Sequence, residues 1–235
     1  MKKFILFFAM LTATSCFAQN QIVTRHKRMV TNTTGVKADK PSKTLKGKKS
    51  TPSKKQSFPI STNQKVDLGL SVFWCAYNVG AQSPEELGNH YAWGETDTKS
   101  TYSRDTYHIN TKYNDIRGYD IYDAARVNMD GAWRMPTKKE YEELISKCKW
   151  SYFVYKGVSG YRVTGPNGKS IFFPLAGAKE DALGDFTNQV GYYWSSNIFE
   201  DDKNDAWLLE LTSSNYAIDF NPRYTGCSIR AVCIK

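Results

Sequence analysis

The sequence predicts an α+β domain with its helices early and a β meander late, and three observations carry that reading. Lys138–Cys148 repeats apolar Tyr141, Leu144, Ile145 and Cys148 at helical spacing, the buried face of an amphipathic helix. Thr137 followed three residues on by Glu140 is a capping box at its start. After Cys148 the pattern turns to short runs of β-branched and aromatic residues separated by Gly-Val-Ser-Gly and Gly-Pro-Asn-Gly, both turn chemistry.

Taken in order, Ser71–Tyr77 reads as a strand, being rich in β-branched and aromatic residues. Ser83–Gly88 reads as a short helical turn with Ser83 as cap and Gly88 as stop. Asp120–Asn128 gives a helix of about two turns, long enough for the I-Y-D-A-A-R-V-N run. Pro136 stops the chain ahead of the main helix; Arg134, between apolar Trp133 and Met135, must be paired if it is buried. Trp150–Tyr155, Gly160–Thr164, Ser170–Pro174, Tyr192–Ser195, Ala206–Leu211, Tyr216–Phe220 and Ser228–Ile234 complete the β segments, and Trp150, Tyr152 and Tyr155 are expected on one strand face.

The charge is unevenly placed. Met1–Ala18 reads as a secretory signal: Lys2 and Lys3, an apolar run from Phe4 to Leu11, and small residues before Gln19. That run is too short to span a bilayer, and no later stretch approaches the length needed, so no transmembrane segment is expected. Cys16, preceded by Ala13-Thr14-Ser15, offers a lipid anchor instead of cleavage after Ala18; either route exports the chain to the periplasm, the outer surface or the medium.

Residues 19–65 read as a disordered basic linker, since they hold twelve Lys or Arg against Asp39 alone, with no helical or strand period. The linker is a spacer, or a tether giving peripheral attachment to an anionic envelope surface. The domain, 66–235, has 18 basic and 22 acidic residues, so the net charge of +9 comes from outside it and no nucleic-acid partner is expected.

Catalytic signals are few. Of three histidines, His26 lies in the linker, and His90 and His108 have no metal-binding spacing. No nucleophile elbow, zincin, P-loop or dinucleotide fingerprint occurs, and Ser195-Ser196 has no histidine placed to activate it. The chain therefore reads as non-catalytic and without a required cofactor. Calcium is the one metal the residues invite: Glu200–Asp205 collects oxygen ligands, with Asp201, Asp202 and Asp205 as candidates. Glu180, Asp181 and Asp185 form a weaker cluster. Four cysteines remain beyond the signal, Cys75, Cys148, Cys227 and Cys233, and an even count in an exported chain suggests two disulfides with three possible pairings.

Aromatic residues make 14% of the chain, and the Tyr-rich stretch Thr96–Tyr122 and Phe199–Trp207 are the places where a variable binding surface would sit. Tyr102, Tyr107, Tyr113, Phe199 and Trp207 are the ligand-binding candidates, for a surface glycan or a protein.

Five motifs in order carry a resemblance: V-D-L-G-L-S-V-F-W-C (66–75), Y-A-W-G-E (91–95), D-G-A-W-R-M-P-T-K-K-E (130–140), G-Y-Y-W-S-S (191–196) and S-I-R-A-V-C (228–233). Together they resemble the Fibrobacter succinogenes major paralogous domain, a family of secreted bacterial modules on a branch of the C-type-lectin-like fold shared with formylglycine-generating enzymes. The resemblance implies two main helices flanking a mixed, mostly antiparallel sheet with long loops. It also implies a bridge from the helix end to the last strand, Cys148 with Cys233, leaving Cys75 with Cys227; a buried Cys75 with an exposed, unbridged Cys227 is the alternative. Trp74, Trp93, Trp133 and Trp194 fall inside the motifs and are expected to be structural.

The related oxidases hold copper with two cysteines ahead of the terminal strand, and here only Cys227 stands there, so their site is not reproduced. The E-P-N and W-N-D tripeptides of calcium-dependent lectins are absent as well. The function expected is that of an exported recognition module; a structural or tip subunit of a surface assembly is the alternative, and a copper or redox enzyme a third.

Overall fold

A computed structural model of the chain describes residues 65–129, 132–181 and 186–235. The signal, Cys16, the basic linker with His26, and Asp185 lie outside these, as do Asp130 and Gly131 of the central motif. Among the described residues no helix is long and apolar enough to cross a membrane.

The elements are β1 (Lys65–Asp67), β2 (Val72–Cys75), a 3₁₀ turn at Arg104–Thr106, α1 (Ala124–Asn128), α2 (Lys138–Lys147), β3 (Lys149–Tyr155), β4 (Val158–Thr164), β5 (Ser170–Pro174), β6 (Val190–Ile198), β7 (Asp205–Thr212), β8 (Tyr216–Pro222) and β9 (Val232–Ile234). The class is α+β, mostly strand. Three small antiparallel sheets form, ordered β1-β2-β9, β3-β4-β5 and β6-β7-β8.

The main helix starts as its capping box dictates. Thr137 Oγ1 accepts from the Glu140 amide at 3.2 Å while Glu140 accepts from the Thr137 amide at 2.7 Å. Arg134 is paired as its burial demands: it donates to both Glu140 oxygens at 2.9 and 2.6 Å, with both side chains mostly buried. Tyr141 and Leu144 face the core, and Ile145 and Cys148 pack at its margin.

The sheets meet through aromatic rings. Trp74 of β2 touches Tyr141 of α2 at 5.5 Å and Phe173 of β5 at 6.2 Å, and Phe173 touches Tyr193 of β6 at 5.1 Å. Arg230 lies at this junction, fully buried, its guanidinium 4.4 Å from the Phe173 ring centre. It donates to Asn78 Oδ1 from Nε and Nη2, to Cys75 O and Ala76 O from Nη1, and to Phe172 O from Nη2. All five N–H groups are used, which is what a buried guanidinium needs.

Several expectations are corrected. Two main helices do not flank one sheet: α1 has five residues against ten in α2, and the strands divide into three sheets. The helix expected over Asp120–Asn128 begins only at Ala124, because the Asp123 carboxylate caps it by accepting from the Arg126 amide at 3.0 Å. Ser83–Gly88 makes one hydrogen-bonded turn, Glu86 N to Ser83 O, and no helix. Gly88 follows at φ +72°, where a Cβ would lie 2.6 Å from Val79 O.

Only Val232–Ile234 of the expected final strand is regular, since the chain before it turns Arg230 into the core. The period of two also separates the strand β3 aromatics: Trp150 and Tyr152 lie against Tyr161, whereas Tyr155 lies on the other face with Phe153 and Phe172. β1 and the 3₁₀ turn were not expected from the sequence.

Candidate functional site

Five alternating aromatic and basic layers pin the first half of the Tyr-rich loop. Arg223, buried, stacks over Trp93 at 4.7 Å and lies 5.3 Å from the Tyr107 ring. Lys99 follows, 5.7 Å from Tyr107 and 5.4 Å from Tyr102. Arg223 Nε donates to Tyr107 Oη at 2.8 Å, and its Nη groups donate to Lys203 O and Ile109 O at 3.0 Å. Tyr107 Oη donates in turn to Trp93 O at 2.7 Å, and burial pushes its own proton affinity far above the ordinary phenol range.

Tyr102 is therefore no surface residue. It is 1% exposed, donates to His90 O at 2.6 Å, and packs so closely on Gly226 that a Cβ there would meet the ring at 2.7 Å. The expectation that Tyr102 belongs to a ligand surface is corrected by its burial, whereas Tyr107 is half-buried with its hydroxyl bonded to Trp93 O and Arg223. Arg223 was missed in the sequence, where nothing local in Pro222-Arg223-Tyr224 marks a guanidinium for burial.

The second half of the loop behaves differently. Tyr113 and Tyr119 stack at 4.5 Å with planes 24° apart, and Tyr122 meets Tyr113 edge-on at 6.3 Å. Tyr119 is 40% exposed and Ile121 68%. The backbone beneath is held firmly. Ile116 is buried; its amide donates to Ser196 O at 3.0 Å, and Ile198 N donates to Asn114 O at 2.9 Å, so the loop is fastened along the end of β6.

Asp123 fixes the other end, accepting from Gly118 N at 2.6 Å and from Met135 N at 2.9 Å. Burial raises its carboxyl against the lowering pull of those backbone amides. Around the rings stand Lys112, 5.9 Å from the Tyr113 ring, and the ion pairs Arg117–Asp115 (3.1 Å) and Arg126–Asp120 (2.9 Å). An exposed ring, Tyr119, backed by half-buried Tyr113 on an anchored loop, can stack a flat apolar face and hydrogen-bond its polar edge.

Phe199 and Trp207 come together, yet with a third ring the sequence reading missed. Phe199 stacks on Phe220 at 4.1 Å, and Trp207 stands edge-on to Phe199 at 4.8 Å. Lys138 Nζ sits 3.6 Å from the Trp207 ring centre, and Trp207 Nε1 donates to Glu200 at 2.8 Å. These half-buried rings close the end of the third sheet around the start of α2.

In the acidic loop, Asp202 Oδ1 accepts from the Asn204 backbone and side-chain nitrogens at 2.9 and 2.8 Å, while Asp201 is exposed and Asp205 half-buried. Among the described residues no three His, Cys, Asp or Glu side chains gather as metal ligands. Asp181 accepts from the Tyr102 amide at 3.0 Å, and the Glu180 carboxyl, raised by burial, faces Thr225 and Tyr224. His90 is buried against Ala176 O. Ser195 and Ser196 are both buried, out of reach of a substrate in solvent.

Among the described residues no bridge joins Cys148 to Cys233 or Cys75 to Cys227. Cys227 is fully buried, which corrects the exposed Cys227 of one expectation, and burial raises its thiol far above the ordinary value. A buried thiol so raised is a poor nucleophile at neutral pH. Comparison with known protein families, with curated proteins and with solved structures finds no match to this chain.

Proposed function

We propose that the chain is an exported, non-catalytic recognition module of the major paralogous, lectin-like type, and that it binds a surface glycan through the Tyr113–Tyr119–Tyr122 cluster. The observation that carries this is the stack of exposed Tyr119 on half-buried Tyr113, on a loop fastened by Ile116 and Asp123. Sugar rings present an apolar C–H face ringed by hydroxyls. A tyrosine face takes the first, and the Asp115, Arg117, Asp120 and Arg126 side chains take the second. No metal is required by this geometry.

The fixed loop also suits binding at low ordering cost, since little conformational freedom is left to lose. A glycan array probed with the 235-residue chain tests the reading, with soluble host proteins as the comparison panel. Retention on a restricted set of glycans supports it; retention on proteins alone, or on nothing, refutes it.

A second reading has its own observation. Tyr152 and Val154 of β3, the outer strand of its sheet, are 41% and 59% exposed on one face, a patch that suits a neighbouring subunit of an envelope assembly. Co-purification of a partner that is lost on Val154→Lys would favour the assembly subunit over the glycan binder.

A further inference from the structure

The expected bridge from Cys148 to Cys233 meets an obstacle in the first sheet. Cys148 packs against the core cluster that includes Val66, Val72, Trp74 and Val232, which lie on the face of β1-β2-β9 that meets Tyr141 of α2. Side chains alternate along a strand, so Cys233, next to Val232, points from the opposite face. The sheet itself stands between the two sulfurs.

The opposite face holds another cysteine. Phe73 pairs directly with Cys233, and Cys75 lies two residues along β2 on the same side. The Cys75 amide donates to Ala231 O at 2.8 Å, so Trp74↔Val232 is the close, non-hydrogen-bonded pair, and each cysteine follows one member of it. Diagonal neighbours in a flat ladder are about 7–8 Å apart between Cα atoms, with the Cβ atoms nearer. The right-handed twist of a sheet draws this particular diagonal together, toward the usual disulfide span of about 5.5–6 Å.

Lys65 gives an independent check. It pairs with Cys75 across β1-β2, and its positive charge acts on the Cys233 thiol against the upward push of burial, so one lysine side chain lies near both. Both cysteines are fully buried.

We propose that Cys75 and Cys233 form a cross-strand disulfide joining β2 to β9, and that Cys148 and Cys227 remain thiols. As the chain folds, before burial covers the site and raises both thiols, the Cys233 thiolate attacks one sulfur of a small-molecule or protein disulfide oxidant and expels its other sulfur as a thiolate. The Cys75 thiolate then attacks the Cys233 sulfur of that mixed disulfide and releases the second oxidant thiolate. Two electrons pass to the oxidant, the two cysteine protons are released, and the oxidant's thiolates take up protons from solvent. The bond does not rest on the recognition reading, because it forms wherever the oxidant is met.

The reduced, unfolded 235-residue chain is refolded in the presence of oxidised glutathione, alkylated, and digested with trypsin with and without prior reduction. The expected product is the peptide Val66–Lys99 joined to Ala231–Lys235, present only without reduction, with Cys148 and Cys227 alkylated once the protein is unfolded. Joining through Cys16, Cys148 or Cys227, or alkylation of both Cys75 and Cys233 after the oxidising refolding, overturns the proposal. Cys148→Ala and Cys227→Ala are expected to keep the linked peptide and Cys233→Ala to lose it. Should Cys233→Ala not fold, the wild-type chain still decides: its urea midpoint falls on reduction if the bond exists and stays put if it does not.

Discussion

Replacing Arg230 by Met removes the guanidinium while keeping most of the stem's volume. Four acceptors lose this donor: Cys75 O, Ala76 O, Phe172 O and the Asn78 side-chain oxygen, which holds two of the bonds. Each buried group left unsatisfied costs about 1–3 kcal/mol, and local relaxation recovers part of the total. Contact with the Phe173 ring adds about 1–2 kcal/mol when desolvated. Against this, a methionine needs no desolvation, and among the described residues no carboxylate hydrogen-bonds Arg230 to offset that cost, so several kcal/mol return. The net expectation is a loss of about 3 kcal/mol.

With a urea slope of about 2 kcal/mol/M, that loss lowers the midpoint by about 1.5 M. Urea unfolding followed by tryptophan fluorescence measures it, with exposed Arg117→Met as the control expected to change little. A midpoint for Arg230→Met within about 0.3 M of wild type, well below the shift the slope implies, would refute the reasoning that this cation organises the junction of the sheets.

Three further outcomes follow from the same geometry. Burial raises the Glu140 carboxyl, but the Arg134 guanidinium and the Thr137 amide outweigh it and hold the group below its ordinary 4.5. Its contribution is thus complete above pH 4.5 and is lost as pH falls through the lower folded value, so Glu140→Gln should cost about 3 kcal/mol at pH 7 and flatten the acid limb of a stability–pH curve. Tyr102→Ala should cost about 3–5 kcal/mol as a fully buried aromatic, whereas Tyr119→Ala should cost under about 1 kcal/mol; calorimetric melting of both distinguishes an internal loop anchor from a surface ring. Chelation with EDTA should leave the melting midpoint of the domain unchanged, because Asp202 is bound to Asn204 within its own loop; a fall of several degrees would establish a structural calcium.

Where the chemistry is local, the sequence was legible. The capping box, the buried face of α2, the need to pair Arg134 and the β meander all follow from neighbours a few residues apart. Legibility ended where partners are distant along the chain. Tyr102 and Tyr119 look alike in the sequence, both in a polar Tyr-rich stretch, and only Gly226 and Lys99 in space make one internal and leave the other on the surface. Arg223 and Arg230 are set by carbonyls and rings from several separate segments, which no period announces. The cysteine pairing was hidden for a related reason: it depends on which face of β9 each residue occupies, and a strand register is not written in either strand alone.

The most direct measurement of the central claim is the affinity of the wild-type chain and of Tyr119→Ala for the glycan retained on the array, by isothermal titration on protein of matched melting midpoint. The account predicts an affinity loss of about tenfold or more, the worth of roughly 1.4 kcal/mol from one stacked ring, with folding unchanged. Equal affinity for the two proteins would contradict it and move the binding surface away from the Tyr113–Tyr119–Tyr122 cluster.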